Sequence, residues 1–413
     1  MKTKDIIAGL MGETESPDFT PTRAAGLARL DLFAKRAGDM YDRCRNYDLG
    51  PEHRTNVSAL SPWIRHRLIT ETEVLHAVLD RHTFETAERF SHEVFWRTYF
   101  KGWLEHHPSV WTAYQAGLTK QIKSIGKDRR LNAAYEDAIG GQTGIECFDA
   151  WAEDLITTGY LHNHARMWFA SIWIFTLKLP WELGADFFLR HLMDADPASN
   201  TLAWRWVAGL QTKGRPYITR VSNISKFTGG QYSPLHQLNT NVVPLTEEAE
   251  HRTVQLPGAA TVDEITGDYL LLITEDDMQI ASILPHPPTA VWGAFATGAR
   301  SPLPLGAVAR SFARDAMRDA CGEAKIIENA AWSDALISAC DDAGVKKIVT
   351  GYAPVGPVAE ALSTASHDLQ AAGITIHQVR RAFDTTAWPQ ATKGFFKMKK
   401  EIPSILKKLK IIP

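Results

Sequence analysis

The hydrophobic period of this 413-residue chain changes near residue 250. Before that point apolar residues recur at helical spacing over 25–37, 71–79, 85–100, 145–156, 165–177 and 183–193, with Pro, Gly and Asn at the breaks. After it, short apolar runs at 269–274 (YLLLIT), 290–295, 325–328, 347–350 and 374–379 alternate with helical stretches at 307–320, 333–342 and 358–372. A run such as YLLLIT, with no polar alternation, suits a strand buried on both faces. Strands alternating with helices of this length predict a parallel sheet. The expected fold class is α plus α/β. An all-helical domain spans 1–245. A linker spans 246–265 and carries Glu247, Glu248, Glu250, Pro257 and Gly258. A smaller parallel, Rossmann-like α/β domain spans 266–413.

Charge and cysteine usage narrow the function classes. The 45 basic and 47 acidic side chains leave a formal charge of -2, which excludes a basic nucleic-acid coat but not a local basic groove. Cys44, Cys147, Cys321 and Cys340 are far apart with no CxxC pair, so they read as free thiols in a reducing compartment, and no metal site is expected. The longest apolar stretch, 167–181, contains Ser171, Thr176 and Lys178 and is too short to cross a membrane. The apolar run after Lys2 and Lys4 meets Glu13 and Glu15 at once, unlike a signal peptide. A cytoplasmic protein is expected. There is neither a GxxxxGK[ST] loop nor a GxGxxG turn after a strand.

Four segments carry chemistry-bearing residues. In DADPASNTLAWRWVAG (194–209), a helix starting near Pro197 puts Asn200 and Trp204 on one face. In YLHNHARM (160–167), Asn163 and Met167 share a helical face, and His162 and Arg166 share its neighbour. In EVFWRTYF (93–100), Glu93, Trp96, Arg97 and Phe100 form one stripe, unusual for plain core because buried charges need partners. In SALSP (58–62), two hydroxyls and backbone N–H groups ahead of a helix suit a phosphate.

Together these segments resemble the photolyase/cryptochrome family of flavoproteins. Residues 143–209 match its flavin-binding core without gaps: Thr143–Gly144, the YLHNHARM block, Trp181-x-x-Gly184, and the DxD, Asn and WxW positions of the last block. The likeness spans roughly residues 20–230 and implies an FAD cofactor. Tyr41 and Arg45 match the Y and R ahead of the phosphate loop, and Ser58, Leu60 and Ser61 match the SxLSP loop itself. Val57 departs from the pattern, where a hydroxyl is common. Arg97, Arg166, Asp194 and Asp196 match positions around the flavin, with Arg166 and Asp194 as an ion pair. Asn200 matches the amide facing flavin N5.

The resemblance also implies a substrate. Glu93, Trp96, Asn163, Met167 and Trp206 match the pocket for a flipped-out cyclobutane pyrimidine dimer, with Glu93 bonding the bases and the indoles packing on the dimer. Blue-light-driven repair of such dimers in DNA by electron transfer from reduced FAD, a deoxyribodipyrimidine photolyase-like lyase activity, is the reading this implies. The alternative is a cryptochrome-like blue-light photoreceptor signalling through a protein partner; a flavoprotein with neither role is a third. Trp204 and Trp181 match the proximal and middle members of the electron-transfer triad. The distal position falls near Asp128, with Tyr135 as a replacement; Trp173 offers a side branch, with core packing as its favoured reading. The α/β region follows the helical one here, the reverse of the family's order, and the asparagine- and glutamate-bearing motif of a folate antenna is absent. The antenna chromophore and the oligomeric state stay open. For DNA contact, Lys213, Arg215, Arg220 and Lys226 form one basic cluster, and Lys120, Lys123, Lys127, Arg129 and Arg130 another.

Overall fold

A computed structural model describes residues 3–12, 17–328 and 331–413; Lys2, Glu13 and Glu15 lie outside them. Every regular element described up to Phe227 is helical, and strands begin only at Leu270. Four helices frame the first region: α1 (Glu88–His106), α2 (Asn163–Ser171), α3 (Trp181–His191) and α4 (Pro197–Ala208). The α4 helix packs against the other three. It starts where Asp196 accepts a hydrogen bond from Ser199 N (2.9 Å) with Pro197 at the first helical position, and stops at Gly209, whose φ is 82°. The α2 helix widens into a π turn at Ile172–Thr176, which completes the helical stretch expected over 165–177. Among the described residues no helix is long and apolar enough to cross a membrane.

The five strands are β1 (Leu270–Thr274), β2 (Ala290–Ala294), β3 (Lys325–Ile327), β4 (Lys347–Gly351) and β5 (Thr375–Val379). They form one parallel sheet in the order β3-β2-β1-β4-β5. In register, Leu271 lies beside Val291 on β2 and Val349 on β4. Alternate residues of β1 enter different cores. Leu270 and Leu272 cluster with Trp332, Leu336 and Leu362 of the helices that follow β3 and β4. Leu271 and Ile273 belong to one buried cluster with Phe312 and with Trp63 and Phe95 of the helical region. Sheet and helical region therefore share a core, at roughly 1.5–3 kcal/mol for each fully buried large apolar side chain.

The segment after β5 turns back onto the helical region. It forms α5 (Ala382–Ala387), α6 (Phe395–Lys399) and α7 (Ile402–Lys408), and both α5 and α6 pack on α1. Gly102 makes room for the intervening Trp388, because a Cβ at 102 would sit 2.9 Å from the indole; Trp388 Nε1 donates to Thr98 Oγ1 at 3.2 Å. The stretch near 250 is tied to the end of α1, where Val254 N donates to the His106 carbonyl at 2.8 Å.

Doubly wound sheets usually bind ligands beyond the carboxyl ends of their strands, where the strand order reverses. Here that place lies between β1 and β4, and it holds side chains of the helical region. Arg65 pairs with Asp276 at 2.5 Å, and His66 Nδ1 lies 2.9 Å from the Glu275 carbonyl. Arg67 pairs with Asp384 at 2.6 Å and Asp277 at 3.4 Å, and Arg381 grips Asp277 through two bonds of 2.6 and 2.8 Å. Burial alone would raise the Asp277 carboxyl, but Arg381 and Arg67 hold it below the usual carboxylate range.

Candidate functional site

The SALSP loop is set by its backbone. Ala59 adopts a left-handed φ of 51°, and Arg29 ties the preceding turn by donating to the carbonyls of Ser58 (2.9 Å), Val57 (2.8 Å) and Arg54 (3.2 Å). Ser58 and Ser61 are half-buried and Leu60 is buried. Arg45 Nη1 bonds Glu93 Oε1 at 2.7 Å, joining the segment that carries Tyr41 to α1. Burial pushes the Glu93 carboxyl up, partly offset by Arg45. The Tyr41 phenol is likewise raised, by burial first and Glu93 second.

His162 caps α2 and fixes it to the same place. Its Nε2 lies 3.0 Å from the Arg45 carbonyl, and its Nδ1 accepts from His164 N at 3.1 Å. Burial lowers its pKa to about 3, so the ring is neutral with one donor and one acceptor, which matches those two contacts. Asn163 then stands exposed at the start of α2, with Met167 half-buried one turn on.

The electrostatic centre is Asp196. Besides capping α4, it faces Arg97 and Lys101 at 3.3 Å each and Arg65 at 3.9 Å. Burial alone would raise this carboxyl; Lys101, Arg97 and Arg65 together hold it far below the ordinary value. Asp194 takes both Nη atoms of Arg166, at 2.9 and 3.1 Å, the ion pair expected from sequence. Asn200 is buried, and its Nδ2 donates to the Ala185 carbonyl at 2.8 Å, which fixes the amide's orientation. Two buried polar atoms in this group, Arg97 Nε and Ser199 Oγ, have no hydrogen-bond partner among the described residues. Buried polar atoms are ordinarily satisfied, so a polar ligand here would complete the set.

The two indoles expected at a pocket, Trp96 and Trp206, each have one aromatic neighbour stacked on them. Trp96 lies against Phe395 of α6, with centroids 3.7 Å apart and planes 15° from parallel. Trp206 stacks on Tyr217 at 5.3 Å. Deeper in the core, Trp204 meets Trp173 edge-on at 6.2 Å, and Trp173 meets Tyr135 edge-on at 6.2 Å. Arg190 Nη2 donates to the Tyr135 hydroxyl at 3.1 Å. Trp181 instead lies 5.7 Å from Tyr114. Gly184 permits the Trp204 position: a Cβ there would fall 2.3 Å from the indole.

Known proteins converge on this region. Residues 90–272 match the FAD binding domain of DNA photolyase. This part of the chain is similar to proteins of the photolyase/cryptochrome family. The deoxyribodipyrimidine photo-lyase of Agrobacterium fabrum is 30% identical over 254 residues, 60% of this chain and 50% of that one. A cryptochrome DASH of Idiomarina loihiensis is 26% identical over 232 residues, 55% of this chain and 49% of that one. A crystal structure of a bacterial class III photolyase from Agrobacterium tumefaciens shares 30% identity, covers 51% of this chain and 43% of its own, and superposes with a TM-score of 0.43. The chain spans about half the length of the curated relatives it matches.

Relative to the photolyase family match, Glu93, Trp96, Arg97 and the residues of α2, α3 and α4 lie inside the aligned span, whereas Tyr41, Arg45 and the Ser58–Ser61 loop precede it. Three participants escape sequence reading. Lys101 and Arg65 are buried cations on Asp196, and Phe395 covers Trp96. Trp173, a side-branch candidate in the sequence, joins Trp204 to Tyr135. Lys101 follows Arg97 by one helical turn on α1, a spacing that could have flagged it. The contacts of Arg65 and Phe395 are long-range, with no local signal.

Proposed function

We propose that this chain binds FAD and uses blue light to split cyclobutane pyrimidine dimers in DNA. The supporting observation is Glu93, a half-buried carboxyl held by Arg45 one helical turn from Trp96, on a helix that packs against the helix bearing Trp206. FAD, reduced and excited by blue light, would supply the electron that opens the cyclobutane ring and take it back afterwards.

The chain's own residues do the rest. The Ser58–Ser61 loop would hold the phosphates. Arg97, Lys101, Arg166 and the carboxylates they pair with would set the charge around the flavin ring. Asn200, fixed through Ala185, would present its amide oxygen to a protonated flavin nitrogen. Glu93 would hydrogen-bond the flipped bases, Asn163 and Met167 would line the pocket, and Trp96 and Trp206 would contact the dimer's apolar surface.

The test is blue-light repair of a cyclobutane thymine dimer in single- and double-stranded oligonucleotides, with the flavin reduced chemically so that the aromatic route is bypassed. Repair is expected, and Glu93→Ala should lower it far more than it lowers FAD content. One observation favours a second reading, a photoreceptor that signals through a protein partner: Phe395 already covers one face of Trp96. FAD-loaded, reduced protein that leaves the dimer intact selects that reading.

A further inference from the structure

A third segment carries a larger excess of positive charge than either basic run of the helical region. Residues 393–410 carry seven lysines and a single acid, Glu401, in a chain whose formal charge is -2. Lys399 pairs with Glu88 at 3.4 Å. Lys393, Lys397, Lys400, Lys407, Lys408 and Lys410 are exposed and have no ion-pair partner among the described residues. The segment is nevertheless firmly seated, because Phe395, Met398, Ile402, Ile405 and Leu406 are buried in the core shared with α1. Its apolar side faces in and its lysines face water. Phe396, next to the buried Phe395, is 77% exposed. Phe395 itself stacks on Trp96, so the basic surface begins at the wall of the candidate pocket.

We propose that α6 and α7 form a nucleic-acid contact surface, in which the lysines meet backbone phosphates and Phe396 stacks on an unpaired base beside the pocket. This rests on DNA being the partner of the pocket, as read above. The chemistry favours a polyanion with exposed rings over a lipid surface. The segment exposes one large apolar side chain, not the continuous apolar face by which a helix enters a bilayer. Lysines that track a backbone beside an aromatic platform are the usual arrangement for single strands.

The test is fluorescence anisotropy with an undamaged 20-mer, single- and double-stranded, across a salt series. Undamaged DNA keeps the outcome independent of repair, and FAD content and circular dichroism report the fold. The combined variant K397Q/K400Q/K407Q/K408Q should bind at least about ten-fold more weakly at low salt. Its slope of log affinity against log salt should shrink by about 0.9 for each lysine that meets a duplex phosphate, and about 0.7 for a single strand. Phe396→Ala should weaken single-strand binding about five-fold or more while sparing duplex. The four-lysine control K35Q/K178Q/K325Q/K346Q, at exposed positions outside every basic cluster, should leave the slope near that of the unaltered chain.

An unchanged slope in the first variant overturns the proposal, as does an equal loss in both, or no DNA binding by the unaltered chain. So does loss of binding only to phosphatidylserine-containing vesicles. Altered slopes in a chain that repairs nothing would sink the repair reading and leave this surface standing. Unchanged slopes in a chain that does repair would sink this surface alone.

Discussion

Phe395 lies flat against Trp96, 299 positions apart in the sequence, with ring centroids 3.7 Å apart. The contact joins the last helices of the chain to the helix bearing Glu93, so the state of the candidate pocket depends on residues that follow the sheet.

Phe395→Ala should therefore act at two places. Loss of a buried phenyl costs about 3–5 kcal/mol, and the stack adds about 0.5–1.5 kcal/mol beyond area. Urea unfolding should report the first. Near-ultraviolet circular dichroism should report the freed Trp96 indole. Phe395→Leu should recover most of the stability and little of the spectral signal.

Asp196→Asn should be the most damaging single-atom change in the site. The amide can still cap α4, but Arg97, Lys101 and Arg65 are left in a buried place without their shared anion, at a cost of about 3–5 kcal/mol. FAD content should fall with it. The pH dependence has a definite sign. The folded carboxyl sits far below its unfolded value of about 3.9, so its stabilisation is complete above that pH and is lost as pH falls towards the folded value. Urea midpoints of the unaltered chain and the variant should draw together on acidification below about pH 4. A constant gap would show that the carboxylate charge is not what stabilises.

Gly184→Ala tests a close approach. The added methyl would overlap the Trp204 ring at 2.3 Å, and such overpacking costs about 1–3 kcal/mol. The Trp204 contribution to near-ultraviolet dichroism should change even if the helix α3 survives intact.

The aromatic contacts predict an electron route different from the one read in sequence. Trp204 touches Trp173, and Trp173 touches Tyr135, whereas Trp181 lies against Tyr114. Light-driven reduction of oxidised flavin in the presence of a thiol should be abolished by Trp204→Phe and slowed more by Trp173→Phe than by Trp181→Phe. Repair by chemically reduced protein should be nearly unaffected by either of the last two.

The change of hydrophobic period announced the architecture because it records local geometry: 3.6-residue spacing for the helices and unbroken apolar runs for strands buried on both faces. All five strands and the three helices between them lie where those runs placed them, within one or two residues. The Arg166–Asp194 pair was legible because both residues fall in motif blocks. Phe395 on Trp96 and Arg65 on Asp276 were not. Each joins segments hundreds of residues apart, and nothing in the period of either segment encodes the meeting. The sequence leaves Trp173 between two readings for a related reason, since composition cannot separate an indole that fills space from one that bridges two others.

The arginines beyond β1 give the sheet a task other than holding a ligand. Arg65 reaches Asp276 on the sheet's rim, the Ala195 carbonyl at 2.7 Å, and Asp196, and it lies four residues after Ser61. The rim is thus an abutment for the loop and the carboxylate that would cradle a cofactor in the helical region. Taking the sheet away would not release a smaller working unit; it would remove the footing on which the cradle is aligned.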